Sequence, residues 1–207
     1  IILVTGPTGS GKTTTLYSVL SHMNDESVNI MTLEDPVEYP ITRIRQTSIS
    51  DGSKIDSSDG VRSLMRQDPD IILVGEVRDK DTAEMAFRAA MTGHQVFSTL
   101  HTNSALRSCQ RIEDRGVSPE VMAGNIIGIV AQRLVRRVCV HCREEVQVTE
   151  GSIEARLIGA HAVGRTVYRA HHGGCEACGF QGYKGRLAIM ELLRMDSMLD
   201  ELLTRNA

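Results

Sequence analysis

Residues 1–17 read IILVTGPTGSGKTTTLY. An apolar run of strand character meets a glycine-rich turn, and a helix-forming run begins at once. Within it, "GPTGSGKT" (6–13) satisfies G-x-x-x-x-G-K-[ST] at each fixed position, in the strand-then-helix setting that the motif's chemistry needs. Gly6, Gly9 and Gly11 let the backbone curl until successive N–H groups face one point, an anion nest. The helix that follows adds the partial positive charge of its N-terminus. With Pro7, Thr8, Ser10 and Thr14 completing the loop, Lys12 is placed to reach the β- and γ-phosphates of ATP, and the Thr13 hydroxyl to ligate Mg²⁺. The rival reading, a glycine-rich turn that merely happens to carry Lys-Thr, has to explain why both flanking elements are in place.

Outward from that loop, strand and helix patterns alternate. The spacing predicts strands at 1–5, 28–34, 71–74 and 95–100, and helices at 11–23, about 58–67 and 80–92, the last stopped by Gly93. Asn103 is placed to cap a further helix ending at Gly116; Ser118 and Pro119 open the next one. The polar stretch "TSISDGSKIDSSDG" (47–60) reads as a surface loop. Such alternation means an α/β fold with a largely parallel sheet covered on both faces.

In open α/β sheets ligands sit beyond the carboxyl ends of the strands, so the strand tips are where chemistry is sought. "IILVGEVRD" (71–79) leaves its strand with Glu76, a carboxylate that can orient Mg²⁺ through water or activate the attacking water. "TLEDPVE" (32–38) ends a strand with Glu34, Asp35 and Glu38. "GHQVFSTLHT" (93–102) brings His101 to the same edge, whereas His94 precedes its strand and belongs at the opposite end. Glu76 and Glu34 are rivals for one catalytic role, and the sequence does not separate them. Arg133, Arg136 and Arg137 form a basic run, either a solvated face or a contact with a neighbouring subunit.

Hydrophobic residues make up 41% and charged residues 24%, and the net charge is −3, so no basic field draws the chain to nucleic acid or anionic lipid. Aromatic residues are 3% and Trp is absent, which argues against a stacking platform for single strands. No apolar run has the length to span a bilayer. The chain opens inside a strand without an initiator Met, as expected of a segment of a longer protein. After residue 138 the periodicity fades, and "CVHC" (139–142) and "CEAC" (175–178) appear. Two C-x₂-C pairs can close a tetrahedral, structural Zn²⁺ site through Cys139, Cys142, Cys175 and Cys178. His141, His171 and His172 stand near enough in sequence to replace a ligand. Cys109, with Ala105, Leu106 and Ile112, reads as a small core residue on a helix face.

Taken together, "GPTGSGKTTTLY", "LEDPVE", "RQDPDIILVGEVRD", "TGHQVFSTLHTNSA" and "AQRLVRRVC" resemble the type II secretion and type IV pilus assembly ATPases, over nearly the whole chain. The resemblance implies a RecA-like P-loop core (1–137), a small tetracysteine zinc module (138–182) and the start of a C-terminal helical region (183–207). It implies a homo-hexameric ring with ATP sites at subunit boundaries. Residue by residue, Lys12 and Thr13 fall in the Walker A block, Glu34 and Glu38 in the Asp box, Glu76 in Walker B, and His94 and His101 in the His box. Arg62 and Arg66 align with arginines placed at the subunit boundary. The implied function is an ATP-hydrolysing motor for protein secretion or pilus assembly. It would be cytoplasmic and peripheral at a bacterial inner membrane, engaging a platform protein and cytoplasmic adaptors rather than nucleic acid. Two other readings stand beside it: a nucleic-acid motor of a conjugation system, and a zinc-ribbon adaptor with a relic P-loop.

Overall fold

The first apolar run forms β1 (Ile2–Thr5), and the glycine-rich turn leads into α1 (Lys12–Met23). The computed structural model describes residues 1–49 and 56–205. There follow β2 (Ile30–Glu34), β3 (Arg45–Ser48), α2 (Ser57–Leu64) with a 3₁₀ turn at Met65–Gln67, β4 (Ile71–Val74), α3 (Lys80–Met91) and β5 (Gln95–Leu100). Two short helices, α4 (Leu106–Glu113) and α5 (Pro119–Met122), lead to the long β6 (Gly128–Val138).

The main sheet has the order β3-β2-β4-β5-β1-β6-β9, where β9 is Tyr183–Arg194. β1 pairs in parallel with β5 and β6, and β4 in parallel with β2 and β5. All these strands therefore deliver their carboxyl ends to one edge. Side chains alternate across each strand, and the core is accordingly split in two. Val4, Leu73 and Phe97 pack under Leu16, Tyr17 and Leu20 of α1, while Leu3, Ile72 and Val96 pack with residues of α2, α3 and α4. Leu20 is wholly buried, so its truncation to Ala costs about 2–5 kcal/mol. The starts of α2 and α3 are capped by the residues that precede them. Asp56 accepts from Asp59 N–H and Asp79 from Thr82 N–H, both at 2.8 Å. The Asp of "GEVRD" is thus occupied in starting α3.

Three sequence expectations need correction. Thr47 and Ser48 belong to β3 and Ser57–Gly60 to α2, so the expected 47–60 loop is shorter; its residues 50–55 lie outside the described residues. β3 carries no apolar alternation because it is a mostly exposed edge strand. Asn103 does not cap α4; the helix begins later, and Ser104 Oγ faces Arg107 N–H at 3.4 Å. The supposed helical tail from residue 183 begins instead with the twelve-residue strand β9. Only α7 (Ser197–Arg205) is helical there. Pairing with β6 overrides the helix-forming residues of "LAIMELL".

The chain divides into two units, residues 1–133 with 189–207, and residues 134–188. The second begins earlier and ends later than the expected module. Its own elements are the antiparallel pair β7 (Glu144–Gln147) and β8 (Thr166–Arg169), and α6 (Ile153–Ile158), whose cap Ser152 accepts from Ala155 N–H at 3.2 Å.

Candidate functional site

The turn between β1 and α1 depends on three glycines in the left-handed region, Gly6, Gly9 and Gly11, with φ of 149°, 77° and 85°. Gly6 also has a steric reason: a Cβ there would lie 2.3 Å from Gln132 O on β6. Gln132 is buried, and both ends of its amide are used. Nε2 donates to Ser10 O at 2.6 Å, and Oε1 accepts from Thr15 Oγ1 at 2.7 Å. Lys12 Nζ donates to the carbonyls of Gly6 (3.0 Å) and Pro7 (3.3 Å). Burial pulls its ammonium below the ordinary lysine value, and the Glu76 carboxylate opposes that shift. Ser10 Oγ is buried with no hydrogen-bond partner, while Pro7, Thr8 and Gly9 are exposed. Left-handed glycines, a half-buried cation and an orphaned hydroxyl fit an arriving polyphosphate. Thr13, at half-exposure behind Lys12, fits the accompanying Mg²⁺.

The carboxylates separate into two environments. Glu76 follows β4 across Gly75, whose N–H donates to Leu33 O at 2.8 Å and whose carbonyl accepts from Thr99 Oγ1 at 2.6 Å. β2 runs so close that a Cβ at Gly75 would meet Glu34 Cα and Leu33 O at 3.2 Å. The Glu76 side chain remains 24% exposed, 2.8 Å from Arg78 Nε and 3.4 Å from His101 Nε2. Arg78 also reaches Asp35 at 2.7 Å. Glu76 is therefore open to water and charge-linked to Lys12.

Glu34, by contrast, is buried. Its carboxylate accepts from Tyr17 OH, from Thr32 Oγ1 (2.5 Å) and from Gln46 Nε2 (3.4 Å). Burial and Glu34 together push the Tyr17 phenol up, so it stays a donor. Glu38 has an exposed side chain and offers its N–H to Tyr17 OH at 3.3 Å.

The structure brings His101 to the phosphate edge and removes His94 from it. His94 sits at the start of β5, its Nδ1 near Thr92 Oγ1 (3.1 Å) and Ala89 O (3.0 Å), closing the end of α3. Six strand residues separate the two rings, roughly 20 Å at ~3.3 Å per residue. Within this chain His94 is a helix-end residue, a correction to its place among the catalytic candidates. Arg62 is exposed and paired with Asp59 at 2.8 Å, and Arg66 is exposed. Among the described residues, neither has a hydrogen bond or ion pair to the glycine-rich loop. Arg133 reaches Asn103 O at 3.4 Å, and Arg136 lies 4.1 Å over the Tyr183 ring.

Sequence reasoning missed Tyr17, Gln132 and Arg78. Tyr17 left one signal: a phenol on the apolar face of α1 needs a polar partner when buried. Gln132, a lone amide interrupting the apolar run of β6, left a similar signal.

In the second unit the four cysteine sulfurs all lie within 4.8 Å of one another, and three pairs stand at 3.9 Å. That is far beyond a disulfide bond. A tetrahedral ion with Zn–S near ~2.3 Å spaces its sulfurs by about 3.8 Å, so the set fits a structural metal. The N–H groups of Cys175 and Gly182 each approach Cys178 Sγ at 3.2 Å; they hold that thiol down at about 6. Burial and the neighbouring sulfurs push Cys142 up to about 12. A metal held by the cluster would replace this uneven sharing with four thiolate ligands. Cys109 is buried in the other unit with Ala105 and Ile112, as expected, whereas Leu106 of the expected face is exposed; burial pushes the Cys109 thiol up.

The model of the family described as type II/IV secretion system protein matches residues 1–207. Type II secretion system protein E of Dickeya dadantii is 49% identical over 95% of this chain and 38% of its own length. The type IV pilus assembly ATPase TfpB of Acinetobacter baylyi is 46% identical over 100% of this chain and 35% of its own. The chain thus spans little more than a third of these relatives. Among solved structures, the pilus retraction motor PilT with bound ADP superposes with a TM-score of 0.70 at 32% identity, covering 99% of this chain and 50% of that one.

Proposed function

The chain belongs to the type II/IV secretion system protein family, and from that premise we propose that it is the ATP-hydrolysing core of a motor that drives type II secretion or type IV pilus assembly. The observation that carries this reading is the pairing of two strand ends. Lys12, after β1, and Glu76, after β4, come to the edge where β1, β4 and β5 finish, where the carboxylate acts on the ammonium through its charge rather than by a direct contact. The N–H groups of the glycine-rich loop and Lys12 hold the phosphates. Thr13 would hold Mg²⁺, which would supply charge neutralisation on the transferring phosphoryl group. Glu76, open to water and flanked by His101, takes the proton from the attacking water. Glu34 and Tyr17 hold the β2 tip against α1 from beneath. The similarity to the pilus retraction motor PilT, solved with bound ADP, supports a nucleotide at this loop.

The finer features belong to the same proposal. The motor is a homo-hexameric ring, with Arg62 and Arg66 turned to a neighbouring subunit, whose charge completes each site. The four cysteines hold one structural Zn²⁺. Among the described residues no helix is long and apolar enough to cross a membrane. Work at the cytoplasmic face of a bacterial inner membrane would then go through a platform protein and adaptors. The test is MgATP turnover by the full-length protein: Lys12→Ala should abolish nucleotide binding while leaving the circular dichroism unchanged. A Lys12→Ala protein that hydrolyses ATP at the wild-type rate refutes the site.

A further inference from the structure

We propose that Gln132 is the positioning residue that aims the phosphate-binding N–H of Gly11, an inference that rests on the phosphate-loop reading above. Ser10 lies between Gly9 and Gly11, both left-handed with φ of 77° and 85°. Glycine passes between left- and right-handed backbone at little steric cost, so the peptide planes beside Ser10 can rotate unless something pins them. In a planar trans peptide the C=O and N–H point in opposite directions. The hydrogen bond from Gln132 Nε2 to Ser10 O (2.6 Å) therefore sets the direction of Gly11 N–H as well. With the carbonyl drawn toward β6, that N–H is turned the other way, into the nest.

The second half of the amide fixes the first. Thr15 Oγ1 donates to Gln132 Oε1 at 2.7 Å, and reversing the amide would give up this arrangement and set Oε1 against Ser10 O, acceptor against acceptor. β6 runs parallel to β1 with Ala131 beside Thr5, which sets Gln132 next to Gly6 and leaves no room for a Cβ there. Loop, first helical turn and neighbouring strand are thus tied through one buried side chain. No other side chain among the described residues donates to the Ser10 carbonyl.

The test uses the full-length protein and MgADP. Gln132→Glu keeps the shape and the acceptor for Thr15 but sets an oxygen against Ser10 O. Gln132→Met removes both bonds. Each should weaken MgADP binding by about 10- to 100-fold, the size of one hydrogen bond to a charged group. Because the lost contact is made alike in ground and transition states, KM for MgATP should rise with kcat changed by less than about threefold. A crystal structure of the wild-type protein with ADP supplies a check that needs no variant: Gln132 Nε2 should still meet Ser10 O, with Gly11 N–H on a phosphate oxygen. Wild-type affinity in Gln132→Glu, or an ADP complex in which the amide has left Ser10 O, overturns the inference. A wild-type protein that fails to bind MgADP instead overturns the proposed function itself.

Discussion

Replacing Tyr17 by Phe removes one oxygen and tests how the Asp-box carboxylate is held. The ring stays, and with it the edge-on contact with Tyr39, whose centroid lies 4.8 Å away at 79°, so the change carries almost no cavity cost. What goes is the hydroxyl's bond to Glu34, a carboxylate that is 5% exposed and keeps only Thr32 Oγ1 at 2.5 Å and Gln46 Nε2 at 3.4 Å. A hydrogen bond to a buried charge contributes about 1.5–3 kcal/mol. The two contacts that Tyr17 OH accepts, from Glu38 N–H and Gln46 Nε2, are both 3.3 Å and add at most ~0.5 kcal/mol each. Tyr17→Phe should therefore cost about 2–4 kcal/mol, or a fall in Tm of roughly 4–15 °C. The assay is urea unfolding followed by circular dichroism, with Glu34→Gln and the double variant completing a cycle whose coupling should reach ~1.5–3 kcal/mol. The phenol is pushed above its ordinary value of 10 in the folded state, so its stabilising contribution is present below pH ~10 and is lost as pH rises past that value. The gap between wild type and variant should narrow there. A Tyr17→Phe protein within ~0.5 kcal/mol of wild type at neutral pH refutes the argument, as does a coupling near zero.

The two rival carboxylates should part company. Glu76→Gln should still bind MgATP but lose ~10²–10⁴ in turnover, while Glu34→Gln should show first as a lowered urea midpoint; the reverse pattern in paired measurements would exchange their roles. Elemental analysis of freshly reduced protein should return about one zinc per chain. Cys139→Ser should unfold the unit at 134–188 far more readily than Cys109→Ser perturbs the other, followed by proteolysis of each; metal-free protein with an intact second unit would remove the zinc reading.

What the sequence made legible follows from range. The glycine-rich loop, the C-x₂-C pairs and the strand ends at Glu34, Glu76 and His101 are local patterns, whose chemistry is written in residues a few positions apart. Whether Glu34 or Glu76 faces water is not local. It is decided by Tyr17, seventeen positions before Glu34, and by the polar edge strand β3, whose Gln46 leans over both. The same holds for the β9 strand. Its apolar run reads equally well as helix or strand, and only pairing with β6 settles it.

Gln132 shows why such residues escape a linear reading and still matter. On its own strand it interrupts an apolar run, which in one dimension looks like the strand losing its pattern near its middle. In three dimensions the interruption meets a loop whose glycines were chosen for freedom of rotation, a freedom that would scatter the N–H groups if nothing opposed it. The nest therefore needs a fixed donor behind it, rigid enough to outlast binding and release of the nucleotide. A strand bonded on both sides provides one, since β6 lies between β1 and β9. The loop's flexibility and the strand's rigidity are complementary halves of one device, and only the first half is spelled out in "GPTGSGKT".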